Sequence, residues 1–380
     1  MVGVAFSTAA LIIVLSVFNG LEGLLRSINT SFDPELKVEA VKGKSFEVSE
    51  GLLTRISSID NVKIVTEVIE DYAYVRYREA DMVIKMKGVS DNFIDQHRLD
   101  NSLEDGELIL RKDGVMYAIM GRGVRYALSV SIEGELFQPL QVYYVKGGKT
   151  SSMDPSQLYA RKAIQPGGVF SIEKTIDENY MFVPLDFAKD LLEYGNKRTA
   201  LEIQTKPGSD IALVQADLKK LLGENFKVLN NEEQHKDIYK LLKMEKLFTF
   251  LALSMLIVVA SINIFFSLMM LALDKKKDIS ILTALGAHES TIRKIFFNEG
   301  VLIAFWGAGI GLVLGGIICW LQQTFGLVGM GMENALVSDY PVKMRFNDFI
   351  VTALLIISIT TLVSFYPARL ASRTSTTQYL

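Results

Sequence analysis

The sequence is poor in the residues that most catalytic and metal-binding sites need. Its 380 residues include one cysteine, Cys319, and three histidines, His97, His235 and His288, which lie far apart. A single cysteine excludes an intramolecular disulfide framework and a cysteine-based zinc site, and scattered histidines disfavour a histidine metal cluster. The formal net charge of −3, from 40 basic and 43 acidic residues, disfavours a nucleic-acid-binding protein of the usual basic kind. We therefore expect no nucleic-acid partner, no metal and no cofactor of its own.

Apolar residues, by contrast, are concentrated in a few long runs. The mean hydropathy is +0.26, and the excess lies in four charge-free blocks, residues 2–18, 247–273, 301–321 and 349–366. A helix needs about 20 apolar residues to cross a hydrocarbon core of about 30 Å. We predict four transmembrane helices, with Pro367 ending the fourth. The first block is also comparable to a signal peptide, but it lacks a basic start and a small-residue cleavage site.

The distribution of basic residues predicts the orientation. The loop 274–300 contains Lys275, Lys276, Lys277, Arg293 and Lys294, whereas the loop 322–348 contains two basic residues. Basic loops remain in the cytoplasm, which places the loop 274–300 and the C-terminus there. The predicted domains are a first transmembrane helix (1–29), an extracytoplasmic α+β domain (30–245) ending in a stalk helix, and a domain with three transmembrane helices (246–380).

The predicted fold is thus a four-helix membrane protein with a large α+β domain between its first and second helices. Alternating β-branched and aromatic residues predict strands at 34–41, 61–68, 72–89, 140–145, 167–172, 180–184 and 200–205. Helices are predicted at 48–59, 114–130 and 209–223, giving a mixed sheet with helices on one face. A helical pattern from residue 231 predicts a stalk continuous with the second membrane helix; a break at the membrane surface is the alternative.

Three motifs outside the cytoplasmic loop have competing interpretations. The tripeptide Gly148-Lys149-Thr150 lacks the first glycine of a phosphate-binding loop, since Tyr143 stands there, so we expect an exposed loop and no ATPase site. The glycine- and serine-rich segment 145–157 is either a flexible turn or a hairpin that contacts an extracytoplasmic partner. A glycine every four residues on the third membrane helix predicts a close helix-packing face, within this chain or in a dimer; these are Gly307, Gly311 and Gly315.

The loop 274–300 is the most informative segment. An apolar stripe that includes Leu282 and Leu285 follows the lysine cluster, Gly286 breaks the helix, and a second amphipathic helix leads into the membrane. A short helix with exposed apolar side chains at the membrane base is typical of a docking element for a cytoplasmic partner. The alternative is a helix that lies on the lipid surface.

Three stretches of the chain resemble one family. The segments GVAFSTAALIIVLSVFNGLEGLL, KKKDISILTALGAHESTIRKIFFNEG and SFYPARLASR are similar to the permease subunits of lipoprotein-releasing (Lol-type) ABC transporters, within the FtsX-like, MacB-like superfamily. The resemblance implies a non-enzymatic, multi-pass inner-membrane permease with a periplasmic core domain. ATP would bind to a separate cytoplasmic ATPase dimer, which the permease would engage together with a second permease subunit, identical or not.

The resemblance also implies roles for named residues. A helix in the cytoplasmic loop would dock on the ATPase through Leu282, Leu285, Gly286, Ala287, His288, Glu289, Ser290, Thr291, Ile292 and Ile295. Lipoproteins would enter from the membrane between the first and second helices of opposed subunits, past Phe18, Leu21, Leu25, Leu247, Phe250 and Leu251. The outer domain would pass them to a periplasmic carrier. Aspartate at Ile292 or Ile295 is expected to uncouple the ATPase without unfolding the membrane domain.

Two related functions remain as alternatives. One is an FtsX-like scaffold that transmits ATP hydrolysis to a periplasmic cell-wall hydrolase, and the other is a MacB-like efflux or mechanotransmission permease. The basic segment that precedes the first helix in relatives has no counterpart here, and the tail after Arg373 is short. We therefore expect the cytoplasmic lead-in of the first helix to be missing from the sequence.

Overall fold

Long helices at both ends of the chain flank a β-rich central part. The computed structural model describes residues 1–132, 138–145, 159–329 and 339–372. The helices are α1 (Val2–Phe32), α2 (Glu50–Ser57), α3 (Arg122–Leu128), α4 (Lys174–Asp177), α5 (Leu185–Leu191), α6 (Ile211–Leu222), α7 (Asn231–Gln234), α8 (Lys236–Asp274), α9 (Lys276–Ala284), α10 (Glu289–Phe325) and α11 (Phe346–Ser372). The strands are β1 (Leu36–Ala40), β2 (Phe46–Glu47), β3 (Val62–Tyr77), β4 (Ala80–Val89), β5 (Leu103–Gly106), β6 (Arg111–Lys112), β7 (Val115–Gly121), β8 (Leu140–Val145), β9 (Tyr159–Phe170), β10 (Tyr180–Pro184), β11 (Lys197–Arg198), β12 (Ala200–Thr205) and β13 (Phe226–Asn230).

The predicted membrane segments are confirmed as helices. In length and composition α1, α8, α10 and α11 each suffice to cross a bilayer. The expectation that Pro367 ends the fourth helix is wrong, because α11 continues through it to Ser372. The turn beyond the proline is stabilised by packing, since Ala368 and Ala371 are buried in an apolar cluster with α9 and α10.

The chain divides into two units. The helical unit comprises residues 1–25, 237–329 and 339–372 of the described chain, and the β unit comprises the described residues between 26 and 236. One division falls inside α1 after Leu25, and the other falls after Lys236, the first residue of α8. The predicted stalk is therefore shorter than expected. A capping box formed by Asn230 and Glu233 starts the separate short helix α7, and α8 begins only at Lys236.

The helical unit has an apolar core in which all four long helices take part. Residues from α1, α8, α10 and α11 form one cluster, which includes Leu11, Ile257, Ala308 and Ile356. Much of the remaining apolar surface of α8, α10 and α11 is exposed, whereas more than half of the most apolar window of α1 is buried. Helix α1 is therefore the most enclosed of the four.

The β unit is built on strands that pair out of sequence order. Six of them form a closed hydrogen-bonded ring in the order β3, β4, β10, β7, β9, β8 and back to β3. Inward-facing residues such as Val75, Met86 and Val142 fill the ring. The first half of β3 also pairs with β12, which continues through β1 to β13, and α2 and α6 contribute Ile56 and Leu218 to the core of this second lobe.

Two expectations about the β unit are wrong. Residues 114–130 were expected to be helical, but Val115–Gly121 is strand β7 and only Arg122–Leu128 is helix. The reason is tertiary, because β7 is held between β10 and β9 by ladder hydrogen bonds. The strands expected at 61–68 and 72–89 instead form one long strand, β3, and a hairpin partner, β4. The segment 145–157 and the tripeptide 148–150 fall largely or wholly outside the described residues.

Candidate functional site

The base of the helical unit presents an apolar turn. After α9, Gly286 adopts a φ of +92°, a left-handed conformation that costs glycine little, and the chain then enters α10. Around this turn Leu282, Leu285 and Ile295 are exposed, Leu285 to 80% of its surface. Exposed leucine and isoleucine in a segment that begins with three lysines are typical of a surface that a protein partner covers.

The structure also separates the predicted docking residues into two groups. Most of them are exposed, and Ala287 is half-buried. Ile292, however, is 2% exposed and packs with Ile279, Phe296 and Ala368 in the cluster at the base. The expectation that Ile292 touches a partner is therefore wrong: its position on α10 faces inward, and aspartate there would disrupt the base itself.

The opposite end of the helical unit carries a polar network that was not foreseen. Asn19 of α1 is fully buried; its Nδ2 donates to Asp348 Oδ2 at 2.6 Å and its Oδ1 accepts from Lys246 Nζ at 2.7 Å. The amide thereby links α1 to α8 and α11. One turn away, Arg345 pairs with Glu22 at 3.1 Å.

The extended chain before α11 crosses α1 at the same level. The backbone N–H of Lys343 donates to the carbonyl of Ser16 at 2.9 Å. A Cβ on Gly20 would lie 2.1 Å from the Pro341 carbonyl oxygen, so this crossing requires glycine. The signal for this network in the sequence was Asn19-Gly20 itself, a polar residue and a glycine directly after the charge-free run 2–18.

The residues proposed for lipid and substrate entry lie close to this end and differ in exposure. Leu247 and Leu251 of α8 are exposed, and Phe18, Leu21 and Leu25 of α1 are half-buried. Phe250 is also half-buried and packs in part against the core cluster of the helical unit, and its role at the entry surface stays a prediction. Leu247 and Leu251 are one turn apart on α8 and both are exposed.

The glycine face of α10 packs against α1 of the same chain. A Cβ on Gly311 would lie 2.4 Å from Thr8 Cβ, and one on Gly307 or Gly315 would lie within 3.2 Å of α1 atoms. Such spacing is what allows two helices to approach closely. Of the two interpretations of the spaced glycines, the structure uses the intrachain one.

The β unit carries an exposed row of tyrosines across the outer surface of its strand ring. Tyr74 of β3 lies opposite Tyr143 of β8, which lies opposite Arg161 of β9. The rings of Tyr74 and Tyr143 are 5.8 Å apart, those of Tyr143 and Tyr159 are 5.7 Å apart, and the Arg161 guanidinium lies 5.6 Å from the Tyr143 ring centre. Together with Tyr72 these residues are called the tyrosine face.

The tyrosine face was missed in the sequence although a signal was present. In the segment 72–76, Tyr72, Tyr74 and Arg76 alternate with Ala73 and Val75, which point into the ring. Exposed aromatic side chains on a regular sheet favour protein contacts, because they offer large rigid surfaces with a polar end.

Comparison with known proteins gives a consistent family. Residues 250–376 match the FtsX-like permease C-terminal family. The chain is 22% identical to the lipoprotein-releasing system transmembrane protein LolC of Xylella fastidiosa strain 9a5c, covering 98% of this chain and 90% of the relative. It is 23% identical to LolE of Haemophilus influenzae, covering 100% and 92%. Among solved structures, the periplasmic region of MacB from Actinobacillus actinomycetemcomitans aligns with a TM-score of 0.39 at 12% identity, covering 57% of this chain and 98% of that one.

Proposed function

Since the chain is a Lol-type ABC transporter permease of the FtsX-like, MacB-like superfamily, we propose that it extracts lipoproteins from the outer leaflet of the inner membrane. A separate cytoplasmic ATPase dimer supplies the energy, and a second permease subunit completes the membrane part. The β unit lies in the periplasm and passes each lipoprotein to a soluble carrier. The chain itself hydrolyses nothing and needs no cofactor of its own.

The observation that carries this proposal is the exposed apolar turn at the base. Leu282 and Leu285 lie before Gly286 and Ile295 lies on the helix after it, and all three are exposed on a base whose own core contains Ile292. Burying such side chains against a partner contributes about 1.5–3 kcal/mol for each fully covered leucine or isoleucine. The ATPase is the partner that the family relationship supplies for this surface.

The first test is Leu285→Asp. Because Leu285 is exposed, we expect the variant to fold normally. It should no longer co-purify with the ATPase, and lipoprotein should no longer stimulate ATP hydrolysis by the ATPase. The matched control is Leu213→Asp on α6, a leucine of similar exposure in the β unit, which should leave both readouts unchanged. Retained co-purification and coupling in Leu285→Asp would contradict the docking role.

The position of Ile292 provides a second, opposite expectation. A buried charge without a partner is strongly destabilising, so Ile292→Asp should lower the unfolding temperature of the purified chain, whereas Leu285→Asp should not. Thermal unfolding in detergent distinguishes a variant that only loses its contact with the ATPase from one in which the apolar core at the base is destabilised.

The tyrosine face supports the hand-off to a carrier. Its rings and the Arg161 guanidinium lie on β3, β8 and β9, and the segment 146–158 joins the last two of these strands. Hydrophobic and cationic groups together suit a carrier surface with aromatic or acidic residues. Tyr74→Ser is expected to weaken carrier binding in a pull-down while ATP turnover continues.

Reconstitution distinguishes the alternatives. Vesicles that contain the chain, its ATPase and a labelled lipoprotein should release the lipoprotein to the carrier only with ATP. Binding of a cell-wall hydrolase without any release would favour the FtsX-like scaffold, and a requirement for an adaptor protein and an outer-membrane channel would favour the MacB-like permease.

A further inference from the structure

The end of α1 is held to the start of α8 inside the β unit. Asp33 follows the last residue of α1, and its Oδ2 lies 2.7 Å from His235 Nε2. The Nε2 of Gln234 donates to the carbonyl of the next residue, Pro34, at 3.0 Å. His235 and Gln234 immediately precede α8. The residues that follow α1 are therefore hydrogen-bonded to the residues that precede α8.

The same segment is fixed to the sheet by a buried arginine. One terminal guanidinium nitrogen of Arg98 donates to the carbonyl of Phe32, the last residue of α1, at 2.9 Å. The other terminal nitrogen pairs with the carboxylate of Glu202 on β12. This contact closes the C-terminal end of α1, where a helix leaves backbone carbonyls without intrahelical partners.

A second cation reaches Phe32 from the other side. Lys87 of β4 pairs with the remaining oxygen of Glu202 at 2.7 Å, and its ammonium lies 4.6 Å from the centre of the Phe32 ring. All three charged side chains are at most 9% exposed. Phe32 is thus held by its backbone and by its ring, through two cations that share one carboxylate.

The two cations hold the carboxyl group of Glu202 in its charged form. Burial alone raises the pKa of Glu202, but Arg98 and Lys87 outweigh it and lower the pKa to about 2. Replacing buried ion triads with well-packed apolar residues is often neutral or stabilising. Stability alone therefore does not account for three buried charges at the end of one helix. Their position favours a role in fixing the geometry of that helix end.

We propose that residues 32–34 form a stalk joint, through which movement of α1 and α8 enters the β unit as one motion. Asp33 and Arg98 are its positioning residues: Asp33 ties the two helices together and Arg98 ties α1 to β12. The inference rests on the proposed function, because it assigns the β unit a movement that ATP hydrolysis drives.

The test uses Asp33→Ala and Arg98→Met in the complete transporter, reconstituted with its ATPase. The second variant leaves Glu202 paired with Lys87, so no cation is left without a counter-charge. The matched control is Asp100→Ala, which removes an exposed contact of similar length (2.8 Å) to His97 elsewhere in the β unit. The readout is lipoprotein released per ATP hydrolysed, a ratio that simple loss of folded protein does not change.

Both joint variants should lower this ratio by about 2- to 30-fold, the range seen when coupling between sites is weakened, while the control keeps the wild-type value. Arg98→Lys, which retains a donor and a charge, should recover part of the loss. If both variants keep the wild-type ratio of lipoprotein released to ATP hydrolysed, the proposed joint is contradicted, even if total activity falls.

A second measurement does not depend on lipoprotein release. In the wild type and in the control, addition of ATP should change the amide hydrogen-exchange rates of β12 and β13 in the complex. In Arg98→Met, addition of ATP should change the exchange rates of neither strand. If the wild type shows these changes but releases no lipoprotein, the joint stands and the proposed substrate is wrong. If Arg98→Met retains the changes, the joint is overturned.

Discussion

Glu202 shows how one residue can organise a helix end and two strands. It follows two apolar residues of β12, and its carboxylate is fully buried between Lys87 and Arg98. Nothing in the segment ALEIQT distinguishes this glutamate from a solvent-facing one, because its two cationic partners come from distant parts of the chain. The sequence pattern predicts the strand, but it does not predict the charge network that the strand carries.

Glu202→Gln is expected to lower the free energy of unfolding by about 3–5 kcal/mol, since it leaves two buried cations without a counter-charge. Denaturant unfolding of the purified chain in detergent measures the change. Asp190→Asn, which breaks the largely exposed pair with Lys162, is the control and should cost at most about 1 kcal/mol. Similar losses in the two variants would contradict the assignment of a structural ion network.

His235 makes stability depend on pH with a defined sign. Its hydrogen bond to Asp33 raises its pKa above 6.5, and partial burial opposes this only in part. A raised folded-state pKa gives stabilisation that is complete below the unfolded-state value of 6.5 and is lost as the pH rises through the folded-state value.

The corresponding prediction compares wild type with His235→Gln. The difference in unfolding temperature should be largest near about pH 5.5 and should shrink towards about pH 8.5. Thermal unfolding over this range measures it, and the subtraction removes the effect of other titrating groups. A difference that stays constant with pH would show that the pair with Asp33 does not depend on the histidine charge.

At the scale of elements, the contact between α1 and α10 depends on positions rather than on composition. Gly309 lies on the same helix as Gly311, yet a Cβ at Gly309 would meet nothing within 4 Å, whereas one at Gly311 would lie 2.4 Å from Thr8 Cβ. The spacing of glycines by four residues predicts this face, but only the packed structure identifies α1 as the partner helix.

Gly311→Val should therefore destabilise the helical unit by about 1–3 kcal/mol or more through overpacking, and Gly309→Val on the same helix should change stability much less. Thermal unfolding in detergent, with the amount of folded protein recovered, gives the comparison. Equal effects at the two positions would show that the loss of glycine in α10, and not the contact with α1, determines the result.

The elements also show where local patterns fail. The four membrane helices are predicted because long apolar runs have few alternatives, and short strands such as β8, β10 and β12 are predicted within a residue or two. Val115–Gly121 is mistaken for helix because its pairing with β9 and β10 lies outside any local window. Ile292 is mistaken for a residue that contacts a partner protein. The amphipathic pattern indicates an apolar face of the helix, but it does not show whether that face packs within the chain or against a partner.

At the scale of the whole molecule, the family resemblance and the four long apolar helices can be predicted from the sequence, whereas the surfaces of the β unit cannot. The segments at the first helix and the cytoplasmic loop indicate a Lol-type permease, and relatives with that name that are 22–23% identical match nearly the whole chain. The closed ring of β3, β4, β10, β7, β9 and β8 and the tyrosine face on it depend on strands that are far apart in sequence. Such pairings require a three-dimensional structure.

The enclosed position of α1 has a consequence for how the protein is made. Helix α1 precedes the other three long helices, so it leaves the ribosome and enters the bilayer well before Lys246 and Asp348 have been synthesised. The hydroxyl of Thr8 has a hydrogen-bond partner before the later helices are made, since it donates to the Val4 carbonyl of its own helix at 2.6 Å. The side-chain amide of Asn19 instead bonds to Lys246 and Asp348, which are both synthesised later. Its hydrogen bonds are complete only after the start of α11 has been made. Insertion of the last helix is therefore the step that completes the packing of the first.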